Sequence, residues 1–528
     1  MTQVGRLDRV SRLGRLRSAP ERLFQYPTSV FTVLLGAYLA ARVGILRMSS
    51  FRGWWDTFSY SYRGSPIWDR GPLVSFTGHA PRLWGAPAFF ALFSTDQQRT
   101  EAQFAVSTVA WALLAWALWK TLRSVLARTV AAGTILLFAL LTPVTEWDFT
   151  VLSDSLSISL GVIMVACFLL WARSGSKVAL VTMIAAGFYW TFVRPEIRLF
   201  IAMFGAVLAF YAWRRKELRR DAIAALVVLA GAVGWCSAIV PVTNENFHRY
   251  AISKLSAQEE LLLFKLGSIY ATPRVEDIYT HQLGMPACPG AKAIVTEHRG
   301  GFFELLDQYN QCPELAAWGR EHGTDATGFA LAAPDLVAKD VWDSAPYAFG
   351  GRDHFGLYGW AKPILPGIVD KAVFHPTWAG IGLLFGGLLA ALVAALSLGA
   401  LRRRRLLLGS ALVLVAAGLI SEVIGVAVAN TEVARYAVQE NFAVRIAAIM
   451  LVAATIDLLV ERRRERAAQT SSAPEVPAPE VSAPVVGPAP VVGPTPVVPA
   501  QRSAIGERSP VVERPHGEDE DEKAGATA

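Results

Sequence analysis

Long apolar runs alternate with short polar connections along this chain. A membrane-spanning helix needs about 20 mostly apolar residues, and about ten runs meet or nearly meet that length. The fifth and sixth runs are short and meet at FVRPEIR, which leaves the boundary between them open. The ten runs lie near residues 27–47, 102–120, 127–144, 154–172, 177–193, 196–213, 222–242, 377–400, 406–428 and 442–460. This pattern predicts an all-α polytopic membrane protein.

Arginine-rich segments follow every second run. Six arginines precede the first run, and the basic character returns in KTLRSVLAR, WARSGSK, WRRKELRR, LRRRR and ERRRER. Cytoplasmic connections carry the excess of Lys and Arg, so with ten spans all these segments lie on one side. We expect a multi-pass protein of the plasma (inner) membrane with both termini in the cytoplasm.

The runs divide the chain into five segments. The basic N-terminal segment is either a helix on the inner membrane surface or a disordered arm. The tail repeats PVVGP, ends in the acidic GEDEDEK and is expected to stay extended. The predicted segments are the cytoplasmic segment 1–26, the N-terminal transmembrane module 27–242 with its outward loop 48–101, the extracytoplasmic loop domain 243–375, the C-terminal transmembrane helices 376–462 and the disordered cytoplasmic tail 463–528.

Composition supports the membrane class and excludes nucleic acid as a partner. Hydrophobic residues make up 53% of the chain and charged residues 18%, whereas soluble domains carry about 25% charged residues. The net charge of +7 comes from arginines beside the apolar runs, where anionic lipid headgroups bind them. We therefore expect membrane lipids rather than nucleic acid to contact the basic surface.

Two cysteines fall in the predicted extracytoplasmic domain. Cys288 and Cys312 are each followed by proline, and a disulfide between them would close a loop of about 25 residues. Two free thiols are the alternative. Cys167 and Cys236 lie within apolar runs and are expected to be packing residues.

Ionisable residues gather at the predicted outer ends of the spans. Asp56 stands among aromatic rings in FRGWWDTFSYSYRG, and an interfacial aromatic belt explains the rings but not the acid. Charges this close to hydrocarbon usually face a cavity or a partner, since lipid exposure costs several kcal/mol. The sequence therefore predicts a polar cavity that is open to the outside. Its other candidates are Glu146, Asp148, Asp154, Arg194, Glu196, Arg198, Glu422, Glu432, Arg435, Tyr436 and Arg445.

Simpler roles remain open for some of these residues. Asp154 could cap a helix, Arg194 could reach lipid headgroups, and Glu422 could form a structural ion pair. No Walker A loop, GxSxG or HExxH sequence is present, and the eight histidines form no recognisable metal site.

The order of these motifs resembles the GT-C superfamily of membrane glycosyltransferases. Within it, the chain is most similar to the branch of protein O-mannosyltransferases, aminoarabinose transferases and RgtA/B/C/D-like enzymes. The resemblance covers about residues 25–460. It rests on Asp56 after the first span, Arg82 in APRLWGAPAFFALF, Asp154 in LSDSLSISLGVIMV, Arg194 before Pro195, and Glu432, Arg435 and Tyr436 in TEVARYAVQENF.

Two departures from the family limit what the resemblance implies. Many relatives have two adjacent acids at the position of Asp56, whereas this chain has a single acid there. No metal is therefore indicated, and the use of a divalent cation is open. The 243–375 segment resembles no acceptor domain of the family, which leaves the acceptor open as well.

The resemblance implies a GT-C-like helix bundle that transfers a sugar, with inversion, from a polyprenyl phosphate to a cell-envelope glycan, lipid or protein. Asp56 would be the catalytic base. Arg194 and Arg435 would bind the phosphate, with Arg82 and Arg198 behind them. Asp154 would orient the acceptor or pair with an arginine, and Glu432 and Tyr436 would complete the substrate site.

Two other classes remain open. A polyprenyl-lipid or glycolipid transporter or flippase would also have about ten spans and a charged cavity. An inactive relative would bind the lipid without turnover. The sequence shows no convincing duplication of the kind that transporters carry.

Overall fold

The structure is a computed structural model. It describes residues 27–51, 57, 60, 74–77, 80–250, 254–297, 301–350, 361–428 and 437–471, and those up to Thr470 belong to one compact unit. The described part of the chain is built from α-helices, short 3₁₀ and π turns, and one antiparallel hairpin in which Val74 pairs with Leu83. The predicted all-α membrane class is confirmed.

Among the described residues, the N-terminal half has the nine helices α1–α9 and the hairpin. Three 3₁₀ turns, Glu146–Phe149, Pro195–Ile197 and Lys216–Leu218, link some of these helices. The labelled elements are α1 (Pro27–Met48), β1 (Val74–Thr77), β2 (Ala80–Leu83), α2 (Gly85–Phe90), α3 (Asp96–Thr121), α4 (Val125–Phe138), α5 (Thr142–Thr145), α6 (Ser153–Ser174), α7 (Lys177–Val193), α8 (Arg198–Arg214) and α9 (Arg219–Tyr250).

The helices that follow α9, which we call the loop domain, have a hydrophobic cluster of their own around Leu262, Tyr279 and Phe329. They belong to the same compact unit as the bundle, and a separate extracytoplasmic domain stays a prediction. Cys288 and Cys312 form a disulfide with a Cα–Cα distance of 5.9 Å, so that prediction is confirmed. Proline follows each cysteine because it opens a helix, where its missing N–H is not needed. The helices of this loop domain are α10 (Ala257–Ala271), α11 (Pro273–Asp277), α12 (Pro289–Thr296), α13 (Phe302–Asn310), α14 (Pro313–His322), α15 (Ala326–Ala332) and α16 (Pro334–Gly350), with a π turn at Ile278–Gln282.

The C-terminal part returns to apolar helices. These are α17 (Gly367–Val373), α18 (Trp378–Ser397), α19 (Ala400–Arg403), α20 (Arg405–Val428) and α21 (Val438–Ser471). Helix α21 continues through Ser471, past the predicted start of the tail at 463. The rest of the predicted tail and the N-terminal segment 1–26 lie outside the described residues.

Eight described helices are long and apolar enough to cross a membrane. Helix α4 and the Thr142–Phe149 segment form a further pair, bent by 63°, and α7 is shorter at 17 residues. All ten predicted runs therefore coincide with helices. The exact number of spans stays a prediction, because the bent pair and α7 decide it. The eight are Thr28–Met48, Asp96–Thr121, Ser153–Ser174, Pro195–Arg214, Lys216–Pro241, Trp378–Ser397, Arg405–Gly425 and Val438–Thr470.

The basic connections meet at one end of the bundle. Arg123 Nη1 lies 3.0 Å from Glu461 Oε1, and Arg404 Nε lies 2.7 Å from Asp457 Oδ2. Arg173 lies close enough to Arg123 for their charges to interact. We call this region the basic end. The alternation of arginine-rich connections along the chain requires this arrangement. The basic end comprises residues 120–128, 172–177, 213–221, 398–405 and 457–466.

Candidate functional site

Arg194 links two acids at the end of the bundle opposite the basic end. Its Nη1 donates to Asp154 Oδ1 and its Nε donates to Glu196 Oε1. Asp154 is fully buried, whereas the Glu196 side chain is 39% exposed. The ion-paired group therefore extends from the buried Asp154 on α6, through Arg194, to the partly exposed Glu196.

The local sequence explains how Arg194 reaches Asp154. Helix α7 ends at Val193, and Pro195 starts a 3₁₀ turn because it cannot continue the helix. Arg194 is left with extended backbone between the two elements. The FVRPEIR boundary is thus a break that places Arg194, Glu196 and Arg198 in one short stretch.

The simpler roles proposed for these two residues are not supported. The N-cap of α6 is Leu152, which makes no side-chain cap, so Asp154 lies in the first turn and binds Arg194 instead. Arg194 is buried between acids rather than extended toward headgroups.

The first loop contributes a second wall through Tyr60 and Arg82. The Tyr60 hydroxyl shares a 3.2 Å hydrogen bond with Ser153, the residue before Asp154. The Arg82 guanidinium lies over the Tyr60 ring, 4.9 Å from its centroid. The hairpin that carries Arg82 thereby brings a second arginine close to the start of α6.

Helices α20 and α21 contribute a third wall that sequence reasoning largely missed. Ser157 donates to Gln439 Oε1 (3.0 Å), which joins α6 to α21. Glu440 accepts from Ser421 Oγ (2.5 Å) and lies within electrostatic range of Arg194. Glu440 lies in the TEVARYAVQENF segment just before the tenth run, but only Glu432, Arg435 and Tyr436 of that segment were taken as site residues.

Two acids in this wall have carboxylate oxygens that accept no hydrogen bond from any described residue. Glu422 and Glu440 are buried and close enough to repel each other. Within the part of the chain that the structure describes, Glu422 Oε1 and Glu440 Oε2 have no hydrogen-bond partner. The structural ion pair considered for Glu422 is therefore not formed by any described arginine.

We call Asp154, Arg194, Glu196, Glu422 and Glu440 the acid–arginine cluster. It combines an arginine, whose planar fork suits phosphate, with buried carboxylate oxygens that can accept from hydroxyl groups. Buried polar atoms without partners are uncommon in folded proteins, so these oxygens favour a binding role for the cluster.

Two other predicted cavity residues have structural roles. Arg445 Nη2 donates to the carbonyls of Phe349 (2.7 Å) and Val373 (2.8 Å), so it binds backbone and does not line the cluster. Asp148 pairs with Arg42 at 2.7 Å, and both side chains are almost fully buried. An arginine inside an apolar run needs an acidic partner. The position of Arg42 within the first apolar run could therefore have identified it as the partner of a buried acid.

Arg198 turns away from the cluster. Its Nε donates to Pro195 O (2.7 Å) and its Nη1 donates to Ser237 Oγ on α9 (3.0 Å). The structure therefore does not bring Arg198 together with Asp154, although the two share the same end of the bundle. Arg198 faces the seam between α8 and α9.

Several predicted site residues lie outside the described residues, and their roles stay predictions. These are Asp56, Glu432, Arg435 and Tyr436. Among the described residues, no group of three or more His, Cys, Asp or Glu side chains could hold a metal ion.

No protein-family model, curated protein or solved structure matches this chain. Its function is therefore argued from the geometry of the acid–arginine cluster and its surroundings.

Proposed function

We propose that the protein is an integral membrane glycosyltransferase that moves a sugar from a polyprenyl phosphate to a cell-envelope acceptor. The observation that carries this proposal is the convergence of Asp154 on α6, Arg194 between α7 and α8, and Glu440 on α21. They meet where apolar spans end, which is where a lipid-anchored phosphate would present its sugar.

Arg194 is the proposed phosphate ligand, and Asp154 positions it. The acceptor hydroxyl oxygen forms a bond to the anomeric carbon, and the bond from that carbon to the phosphate oxygen breaks. The electron pair leaves with the polyprenyl phosphate, whose charge Arg194 stabilises. The hydroxyl proton passes to a carboxylate, for which Asp56 is the candidate.

The loop domain is the proposed contributor to acceptor binding. Asn441 donates to Ala348 O (3.1 Å), and Arg445 binds Phe349 O. Both donors lie within about two turns of Glu440 on α21, so the end of α16 is fixed beside the cluster. The orientation that this reaction requires places the cluster outside and the basic end in the cytoplasm.

A lipid transporter or flippase is the second candidate. The observation that favours it is the buried Glu422 and Glu440 pair, because intramembrane acids often carry protons or ions in transporters. A flippase moves the intact lipid and leaves the bond between sugar and phosphate unbroken, so product analysis separates the two candidates.

The test uses the purified full chain in nanodiscs with a panel of polyprenyl-phosphate sugars and a crude envelope acceptor, with and without chelator. Free polyprenyl phosphate is measured. We expect release by the wild type and by Glu217→Gln, a control at an exposed acid of the basic end, but not by Asp56→Asn. Full release by Asp56→Asn would show that Asp56 is not the catalytic base. Flipping in proteoliposomes without release from any donor would favour the transporter.

A further inference from the structure

A stacked pair of tryptophans joins the loop domain to the start of a membrane span. Trp342 lies on α16, Trp378 is the first residue of α18, and their ring centroids are 3.9 Å apart. Helix α18 is long and apolar enough to cross a membrane, and only 17% of its apolar window is buried within the protein. Trp378 therefore marks the level at which a lipid-facing span enters the bilayer.

Helix α16 also touches this span beyond its first residue. The Phe349 ring meets the Phe385 ring edge-on, with centroids 5.2 Å apart. Phe385 lies about two turns further along α18 than Trp378, or about 10 Å along the helix axis. The C-terminal half of α16 is thus held beside the end of a span, at the level where the bilayer begins.

The surface of α16 changes character along the helix. Its exposed side chains first form ion pairs: Asp335 binds Arg274 at 2.6 Å, and Lys339 binds Asp343 at 2.5 Å. From the residue after Asp343 to the end of α16 at Gly350, the sequence SAPYAFG contains no charged residue. The charged surface therefore gives way to an uncharged one close to the turn that contacts α18.

Two large aromatic side chains stay exposed at this change. Trp342 is 62% exposed, although it stacks on Trp378, and Tyr347 is 61% exposed. Tryptophan and tyrosine are enriched at membrane interfaces, where the apolar ring meets lipid and the N–H or O–H group meets the headgroups. Their position beside the start of a span favours lipid as the partner of both rings.

We propose that the C-terminal half of α16 lies in the bilayer interface on the side of the loop domain, where phospholipid covers Trp342 and Tyr347. Interfacial helices bury their apolar surface about 5–10 Å into the boundary between headgroups and acyl chains. That depth is comparable to the distance along α18 between its two contacts with α16. The inference does not depend on the proposed function, because a transporter with the same loop domain makes the same contact.

The lipid contact explains how α16 is fixed along its length. Asn441 and Arg445 bind the carbonyls of Ala348 and Phe349 at the end of the helix. Lipid around Trp342 holds the preceding turns. The bilayer surface and α21 together keep this end of the loop domain beside the acid–arginine cluster.

Spin labels measure the contact in the full chain. The free cysteines Cys167 and Cys236 are replaced by alanine, and the disulfide is kept. A nitroxide is attached to Trp342→Cys or Tyr347→Cys in phospholipid nanodiscs. Oxygen concentrates in lipid, whereas a water-soluble nickel complex is excluded from it. We expect both labels to keep their collisions with oxygen and to lose those with the nickel complex.

The matched control is Glu321→Cys. Glu321 is an exposed residue of α14 in the charged stretch Arg320–His322, so its label is expected to collide freely with the nickel complex. Equal nickel collisions at Trp342, Tyr347 and Glu321 would overturn the lipid contact and leave the face to a water-soluble partner. Dipolar coupling between the labels of two chains would instead show a second copy on this face, and it would also overturn the proposal.

A second measurement keeps both aromatic rings in place. The wild type is illuminated in nanodiscs that contain a phospholipid with a diazirine near its headgroup, and the labelled peptides are mapped. We expect labelling within residues 338–350 and in α18, but not in α14. Labelling of α18 without any labelling of residues 338–350 would contradict the interfacial position of α16.

Discussion

Two of the buried arginine–aspartate pairs among the described residues differ in how completely they are enclosed. Arg42 and Asp148 are 1% and 2% exposed. Arg42 also donates to Thr108 Oγ1 (2.8 Å) and Phe104 O (3.1 Å), and Asp148 accepts from Ser155 (2.5 Å). This closed pair is bound by protein groups on all sides.

The pair of Arg194 and Asp154 is also buried, at 7% and 0% exposed, but continues outward. Arg194 also binds Glu196, whose side chain is 39% exposed, and it lies within range of Glu440. A phosphate can compete with an exposed acid for an arginine, whereas it cannot reach Arg42. A structural pair therefore differs from a candidate binding site in having protein groups on all sides. Burial of the pair alone does not separate the two.

The largest expected effect is on stability and comes from the closed pair. Arg42→Met leaves Asp148 as a buried charge without its cation, so we expect a loss of about 3–5 kcal/mol in the free energy of unfolding. Denaturant unfolding in detergent measures it. The double variant Arg42→Met/Asp148→Leu should recover most of the loss, and equal loss in both would contradict a closed pair.

The open pair should affect activity more than stability. Arg194→Gln keeps a donor for Asp154 but removes the charge that stabilises the leaving phosphate. We expect release of polyprenyl phosphate to fall about 10²–10³-fold, with a smaller loss of stability than in Arg42→Met. Rates under single-turnover conditions measure it. A larger loss of stability than in Arg42→Met would remove the distinction between the pairs.

Removal of the disulfide gives a reference effect on stability that involves neither of the two pairs. Replacing Cys288 and Cys312 with serine frees the loop that they close, so the loop domain should lose about 3 kcal/mol. Limited proteolysis of the full chain reports unfolding of this domain. The effects of Arg42→Met and Arg194→Gln should add to it unchanged, since neither pair contacts the disulfide. Strong non-additivity would show that the pairs and the loop domain are coupled.

A substitution of Glu440 tests whether this residue belongs to the proposed site around Arg194. Glu440→Gln retains an acceptor for Ser421 but removes a charge within range of Arg194. We expect about a tenfold fall in polyprenyl phosphate release, or roughly 1.4 kcal/mol. The matched control is Glu101→Gln on α3, at an exposed position. Unchanged release would confine the site to Arg194, Asp154 and Glu196.

The smallest effect concerns Lys265, a buried charge in the loop domain. Burial lowers the pKa of Lys265 below its usual 10.5 by desolvation, although Asp340 opposes the shift. The unfolded chain therefore binds more protons between the lowered pKa and 10.5, and the Lys265 contribution to stability rises with pH in that window.

Comparison with Lys265→Met isolates this contribution. Tyr279 and Tyr309, whose pKa values burial raises, lower stability at high pH in both proteins and cancel in the difference. The stability of the wild type relative to Lys265→Met should increase with pH. A difference that stays flat would mean that burial alone does not perturb this charge.

The sequence predicts the helical class and much of the polar organisation, because both depend on strong local signals. Apolar runs next to arginine-rich connections have few alternatives in a membrane. Cys288 and Cys312 share a region outside the apolar runs, and proline after each marks a helix start. Asp154 and Arg194 were both expected at the cluster, although 40 positions separate them.

Pairings across the bundle could not be predicted from the chain alone. Asp148 and Asp154 are six positions apart, yet one is enclosed with Arg42 and the other binds Arg194. Which acid meets which arginine depends on how α1, α6 and α7 pack. Arg445 was misassigned for the same reason, since its backbone acceptors belong to residues about 70–100 positions earlier.

The most direct test is a single-turnover assay of polyprenyl phosphate release in nanodiscs. It compares the wild type, Arg194→Gln and the double variant Arg42→Met/Asp148→Leu, each with one radiolabelled donor and verified to be folded. We expect release by the wild type and the double variant, and loss of release in Arg194→Gln. Release by Arg194→Gln at the rate of the wild type would contradict it.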